Sequence, residues 1–506
     1  MKRTCFILAI TVLLGMMAPA AVYSAENKAP KEKVDVLTAP FKDWQIYLES
    51  AKASPDSNHI ATVARKGGKF AVILDGKLQA EYDSISKETP IFSKDSKHLV
   101  YSAKKGNRWV VVLDSKEGRS YFNVSVPAFS PDSQHLAYIA EKGASQYCVV
   151  LDGKESATYD AIPPNFNLVF SPDSRRFAFA AYKGKKMVMV EDGKESEIYE
   201  KVSMPVFSPN SKHLVFPVMV KKDGKDKQCM VFDGKEGTLY DRTGTFAFSE
   251  DSAIFSYSVV SDGKAMMVSN GKEGPGFTDI AMPMYSPDSK NMFYLAVKDT
   301  KNYLVMNGKV SKGFEKIVDY IFSPDNAHSI MTVKDGKNSY ALIDGVKSAD
   351  YESIFFPTYS PDSKHLAYVA VRDKKWFMVY DGKEATGYDF ILAPNFSKDS
   401  RRMMYMARKG AKWFMVVDGK ESKAYDGVAL PTFSPDSRTS AFIAKNGDIW
   451  FVVVNGIEGK QQFMGFLKGS DITYDDGNQF HILGIQLPPK ATLGPNLVRL
   501  QVEVPK

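Results

Sequence analysis

Residues 394–402 read Pro394-Asn395-Phe396-Ser397-Lys398-Asp399-Ser400-Arg401-Arg402, followed by Met403-Met404-Tyr405-Met406-Ala407. The chain continues Arg408-Lys409-Gly410-Ala411-Lys412, then Trp413-Phe414-Met415-Val416-Val417, then Asp418-Gly419. Short apolar runs separated by polar turns are strand signals. Asp399 and Ser400 can bond nearby backbone N–H groups in a tight turn. Asp418-Gly419 is a two-residue hairpin signal, because its backbone needs positive φ. The stretch therefore predicts three strands, at 394–397, 403–407 and 413–417. A fourth follows, holding Lys423 to Asp426, before the chain returns to Pro431 and Phe433.

The same phrase recurs along the chain. Its aromatic position falls at Phe92, Phe129, Phe170, Phe207, Phe248, Tyr285, Phe322, Tyr359, Phe396 and Phe433, spaced 37 or 41 residues apart. A weaker copy precedes them at Ala53-Ser54-Pro55-Asp56-Ser57, and another follows at Tyr474-Asp475-Asp476-Gly477. Twelve starts of a four-stranded antiparallel unit predict an all-β protein built from about twelve β-propeller blades.

Each blade is covered by a neighbour on both faces, so its third strand should be apolar throughout. The residue four before the hairpin aspartate, or its equivalent, fits: Ala71, Val110, Cys148, Val188, Cys229, Met266, Tyr303, Tyr340, Phe377, Phe414 and Phe451. These are expected inter-blade core, and Phe414→Ala is expected to cost about 3–5 kcal/mol. Cys148 and Cys229 share this register two units apart, with a blade between them. That is beyond the roughly 7 Å reach of a disulfide, so both are expected as buried free thiols.

Propellers typically close with about four to eight blades. Twelve in one ring would leave a wide channel. The expectation is therefore tandem propellers, six plus six, at 34–284 and 285–506, with a break near Gly274-Pro275-Gly276. Seven plus five is the competing division. The last unit supplies strands at 472–475, 480–487 and 497–504 but lacks a fourth. Trp44-Gln45-Ile46-Tyr47-Leu48 is expected to complete it or to close the first ring.

The first residues have the pattern of a secretory leader over 1–25. Lys2 and Arg3 precede an apolar run from Phe6 to Ala18, and small residues around Ser24 and Ala25 suit cleavage. Cys5 lies before the apolar run, which argues against lipidation. Losing Lys2 and Arg3 lowers the formal charge from +7 to +5. The chain is expected to be periplasmic or secreted, and not an integral membrane protein.

The phrase Phe-Ser-Pro-Asp-Ser, with His-Leu-Ala-Tyr after Gln134 and after Lys364, resembles the TolB-type, WD-like β-propeller repeat family. The resemblance covers roughly 51–475. It implies a binding platform in the periplasm. TolB proteins carry an additional N-terminal α/β domain. The stretch between the leader and the first unit is too short to hold one, so the expectation is confined to the repeats. Prolyl oligopeptidase relatives attach a hydrolase to similar repeats, but a Gly-x-Ser-x-Gly elbow is not found here.

The residues that carry chemistry elsewhere read as structural here. His59, His98, His135, His213, His328 and His365 occupy one repeat position at the start of the second strand. His481 lies in the irregular last unit. Asp132, Asp173, Asp288, Asp362 and Asp436 sit one per turn, whereas calcium loops need several oxygen ligands close together. No catalytic residue, cofactor or metal is expected.

Charge supplies the candidate site. The loops between second and third strands share one face of the disc and are rich in base. The candidate binding face is Lys104, Lys105, Arg108, Lys185, Lys186, Arg372, Lys374, Lys375, Arg408, Lys409 and Lys412, with Asp160, Asp241, Asp389 and Asp426 near enough to neutralise part of it. The expected partner is a protein or an anionic envelope component. Export and a modest net charge argue against nucleic acid, and the oligomeric state is left open. The expected function is a non-catalytic exported binding platform or scaffold. The alternative is a polysaccharide lyase or hydrolase using the propeller funnel. A third reading, a small-ligand or carbohydrate sensor, needs exposed aromatics, whereas Trp109, Trp376, Trp413 and Trp450 share a third-strand register that suits packing.

Overall fold

The structure is a computed structural model and describes residues 29–39, 43–163, 168–392, 394–487 and 495–505. The predicted leader, its cleavage site and Cys5 lie outside the described residues. Among the described residues, no helix is long and apolar enough to cross a membrane.

The chain is all-β, and its strands form twelve antiparallel sheets. In blade 10 the first strand is Phe390–Ile391 with Asn395–Phe396, the second Met403–Lys409, the third Lys412–Val417 and the fourth Lys420–Glu421. The fourth strand stays beside the third through a bridge between Trp413 and Tyr425. The chain then enters blade 11 at once: Asp426 N–H donates to Lys445 O, and Gly427 pairs with Lys445. Blades 1–11 repeat this plan, from Gln45–Tyr82 for blade 1 to Gly427–Glu458 for blade 11.

Blade 12 is made from both ends of the chain. Gly465–Phe466 with Thr473–Tyr474, Gln479–Gln486 and Asn496–Glu503 supply three strands. Lys31–Thr38 supplies the fourth, pairing antiparallel with Asn496–Glu503. The missing outer strand thus comes from just upstream of the piece expected to provide it. Residues 45–48 instead open the first strand of blade 1, Gln45–Ala53.

Apolar clusters show how the blades close. Blade 6 packs on blade 7 through Met267 and Phe277 against Met292, Tyr294, Ala296 and Val305. Blade 12 packs on blade 1 through Leu467, Leu483 and Leu497 against Ala51 and Ile60. Every other consecutive pair shares a cluster of the same kind, for example blades 10 and 11 through Met404, Met415, Phe442 and Phe451. The twelve blades therefore form one ring. This corrects the expected six-plus-six division at 34–284 and 285–506, since Gly274-Pro275-Gly276 is an ordinary blade junction. The third strand of one blade lies against the first strand of the next.

The core sits between blades, where alternate third-strand residues such as Val112, Val150, Val231, Val416 and Val453 are almost fully buried. The register expected as core divides. Ala71, Val110, Cys148, Val188, Cys229 and Phe451 are buried, but Met266, Tyr303, Tyr340, Phe377 and Phe414 are only half-buried. Size alone does not decide this, since Phe451 is buried and Phe414 is not. The cations of the second strand cover some of them: Lys409 lies over Phe414 and Arg372 over Phe377.

Candidate binding face

The hairpins between second and third strands turn through residues of positive φ, such as Gly106, Gly184 and Gly410. In five blades the aspartate that ends the preceding blade caps the turn. Asp389 Oδ2 accepts from Gly410 N–H at 2.7 Å, and Asp426 Oδ2 from Gly447 N–H at 2.7 Å. The other oxygen of each carboxylate takes a lysine from the third strand of its own blade. Lys375 reaches Asp389 at 2.6 Å, and Lys412 reaches Asp426 at 2.7 Å. The lysine first and the backbone N–H second hold both carboxyls below the usual aspartate range.

A second set of carboxylates takes the cations that end the second strands. Lys105 pairs with Glu117 at 3.2 Å, Arg372 with Glu384 at 2.6 Å, and Lys409 with Glu421 at 2.5 Å. Lys186 pairs with Glu200 at 3.1 Å. Six of the eleven candidate cations are thus engaged locally. Lys104, Arg108, Lys185, Lys374 and Arg408 make no ion pair among the described residues. Arg108 stacks its guanidinium over Phe122 at 4.5 Å. Arg408 lies 5.6 Å from both Phe390 and Trp413, and its Nε is buried without a partner. The eleven residues share one face, but only these five leave charge for another molecule.

Sequence reasoning missed the staple beneath this face. A tyrosine at the end of one fourth strand donates its hydroxyl to the glutamate of the next blade's fourth strand. The pairs include Tyr121–Glu155 at 2.9 Å, Tyr240–Glu273 at 2.9 Å, Tyr351–Glu384 at 2.9 Å and Tyr388–Glu421 at 2.7 Å. Burial, and then the neighbouring carboxylate, push these phenols far up. A signal was present: the Asp-Gly-Lys-Glu turn is followed four residues later by Tyr or Phe in most units. Nothing local shows that partners sit one blade apart.

The opposite face is made by the Ser-Pro-Asp turns. Asp132 N–H donates to Ser174 Oγ of the next blade at 3.0 Å, and Asp362 N–H to Ser400 Oγ at 2.9 Å. Each turn aspartate is held below its usual range, by the serine of its own turn first. The six repeated histidines each place Nδ1 within 2.6–2.8 Å of the hairpin aspartate of their own blade, as His98 does with Asp114 and His365 with Asp381. His481 is buried at the seam between blades 12 and 1, bonded to Asp475 at 3.0 Å and to the carbonyl of Asp56 at 2.7 Å. Among the described residues, no group of three or more His, Cys, Asp or Glu is placed to hold a metal ion. Cys148 and Cys229 are free and buried, and burial pushes both thiols up to about 11.

Twelve four-stranded blades around one axis define a β-propeller. No protein-family model matches the chain, and no curated protein matches it. Solved structures of similar shape include a eukaryotic initiation factor, at 13% identity over 65% of this chain and 96% of that one, with a TM-score of 0.34. TolB from Acinetobacter baumannii matches at 13% identity over 50% of this chain and 79% of its own, with a TM-score of 0.22. The β-propeller domain of the Trilobed protease from Pyrococcus furiosus matches at 14% identity over 53% and 96%, with a TM-score of 0.26. These are distant likenesses of fold.

Proposed function

We propose that the chain is an exported, non-catalytic binding platform of the periplasm or the extracellular space. Its hairpin face takes a protein or an anionic envelope component. The observation that carries this reading is the set of five cations free of ion pairs, Lys104, Arg108, Lys185, Lys374 and Arg408. Four of them, Lys104, Arg108, Lys185 and Arg408, lie beside turns that the preceding blade's aspartate caps. Rigid presentation lowers the ordering cost of binding, and positive charge spread over one face steers an anionic partner. The resemblance of the repeats to TolB-type propellers supports the same reading. Against the alternative of a lyase or hydrolase stands the use of the histidines: all seven are bonded to aspartates within the fold.

The test is co-sedimentation of the mature protein with an envelope fraction in rising salt. The reading requires retention at low salt that falls as salt screens the charges. Alanine at all five free cations should abolish it, whereas alanine at Lys375 and Lys412 should not. Retention that ignores both salt and the five substitutions would refute the reading.

A further inference from the structure

Blades 9, 10 and 11 each place a tryptophan at one position of the third strand: Trp376, Trp413 and Trp450. In blades 9 and 10 a phenylalanine from the first strand covers it. Phe355 stacks on Trp376 at 5.3 Å with planes 11° apart. Phe390 packs on Trp413 at 6.0 Å and on Trp376 at 4.6 Å. Blade 11 has small residues at both places. Gly427 stands where blade 10 has Phe390, and Ala429 where blade 9 has Phe355.

Blade 12 in turn has Gly465 where blade 10 has the Phe390 that covers Trp376 of the blade before it. Ala429 and Gly465 thus leave a concavity of about 340 Å³ beside Trp450, walled by Leu430, Phe466 and Leu467 and edged by Lys468 and Asp471. Its wall is fixed. Phe463 packs on Phe466 at 5.0 Å. Leu430 holds φ at 51°, in the left-handed region that a branched, bulky residue rarely adopts. Backbone strain of this kind concentrates at binding sites. Lys468 and Asp471 are exposed, and neither is taken up in an ion pair among the described residues.

We propose that this concavity is a saccharide subsite that takes one neutral pyranose ring. The indole and Phe466 offer an apolar surface for the C–H face of a sugar. Lys468 and Asp471 offer a donor and an acceptor for its hydroxyls. A net anion would meet the Asp471 carboxylate and a net cation the Lys468 ammonium, so a neutral polyol suits the edge. A purely apolar side chain would strip water from both charges without replacing its hydrogen bonds. The volume lies at the small end of ligand sites, about 300–1,000 Å³, which suits a single ring. The subsite is independent of the cationic face.

The experiment is titration of the mature protein with cellotetraose and with chitotetraose, followed by tryptophan fluorescence and calorimetry. At least one should saturate with one site per chain. Gly465→Phe refills the concavity as Phe390 covers Trp376, and a Cβ at Gly465 meets nothing within 4 Å. It should weaken binding by at least about tenfold with unchanged circular dichroism. Should Gly465→Phe misfold, Asp471→Asn on the exposed edge should weaken binding by about tenfold. The proposal is overturned if neither sugar saturates at millimolar concentration. It is equally overturned if the folded variants bind as the parent does, or if only a tyrosine-bearing tetrapeptide binds and its binding is lost in Gly465→Phe.

Discussion

Tyr388 and Glu421 belong to different blades, and the tyrosine hydroxyl donates to the carboxylate at 2.7 Å. Lys409 closes the arrangement from the glutamate's own blade. The hydroxyl follows the acceptor around the ring. Where the next blade carries Val310 or Lys347 in place of the glutamate, the tyrosine is replaced by Phe277 or Phe314.

Tyr388→Phe should lower stability by about 1 kcal/mol, the usual net worth of one such bond. Glu421→Gln should share part of that loss, so a double-mutant cycle by denaturant unfolding should show coupling. Phe277→Tyr should destabilise by about 1–3 kcal/mol, because its buried hydroxyl meets no acceptor. Additive behaviour at 388 and 421 would remove the staple from the account.

Val34→Pro should open the ring. Val34 pairs with Leu500 and packs against the cluster shared by blades 11 and 12. Proline removes a ladder donor. Hydrogen exchange should rise in Gln479–Gln486 and Asn496–Glu503, and also in blade 1, which rests on blade 12 through Ala51 and Ile60. Protection left intact in blade 1 would contradict closure between these blades.

The pH limits follow from two sets of groups. Glu421 is held below its usual range, first by Lys409 and then by Tyr388. A depressed carboxyl contributes stability above its unfolded value, near 4, and loses it as pH falls through the folded value. Burial raises Tyr405 to about 12. A phenol raised in the folded state contributes stability below its unfolded value, near 10, and loses it as pH climbs from there towards the folded value. Unfolding should therefore set in below about pH 4 and above about pH 10. Phenolate absorbance rising well before the loss of circular dichroism would contradict the alkaline limb.

Met415 is fully buried and Phe414 is not. Met415→Ala should cost about 2–5 kcal/mol. Phe414→Ala should cost less than the 3–5 kcal/mol of a fully buried phenylalanine, because Lys409 and solvent already share its surface. Equilibrium unfolding of both variants ranks the two positions.

Cys148 and Cys229 should titrate as two free thiols in denatured, unreduced protein, as the structure has them. In the folded protein both should resist alkylation at neutral pH, because they are buried and their thiols are raised to about 11. Rapid modification of the native protein would contradict their burial.

The blade was legible in the sequence because each turn advertises itself locally: Asp418-Gly419 needs positive φ, and Ser397 with Asp399 caps a tight corner. Ring size was not, since blade 6 and blade 12 expose the same kind of apolar face and no residue says which blade will cover it. Lys31–Thr38 escaped notice because alternation in Lys-Glu-Lys-Val-Asp-Val is weak and its partner lies at the far end of the chain. At the candidate face the cations themselves were legible. Their pairing with Glu117, Glu200, Glu384 and Glu421 was not, because the partners, 12 or 14 residues apart in one blade, meet only once its strands pair. The opening beside Trp450 could have been found by aligning the blades and noticing Gly465 against Phe390.

The bond between Glu503 and Lys31 joins the two extremes of the chain, and it sets an order of events. A polypeptide threaded outward from its amino end delivers residues 31–38 early and their mate last. Until the final strand arrives, the newcomer carries a raw sheet edge that other chains could seize. Such a circle can be locked only once residues 496–503 have been made, so truncation ahead of them should leave an unsealed, sticky arc in place of a slightly smaller disc.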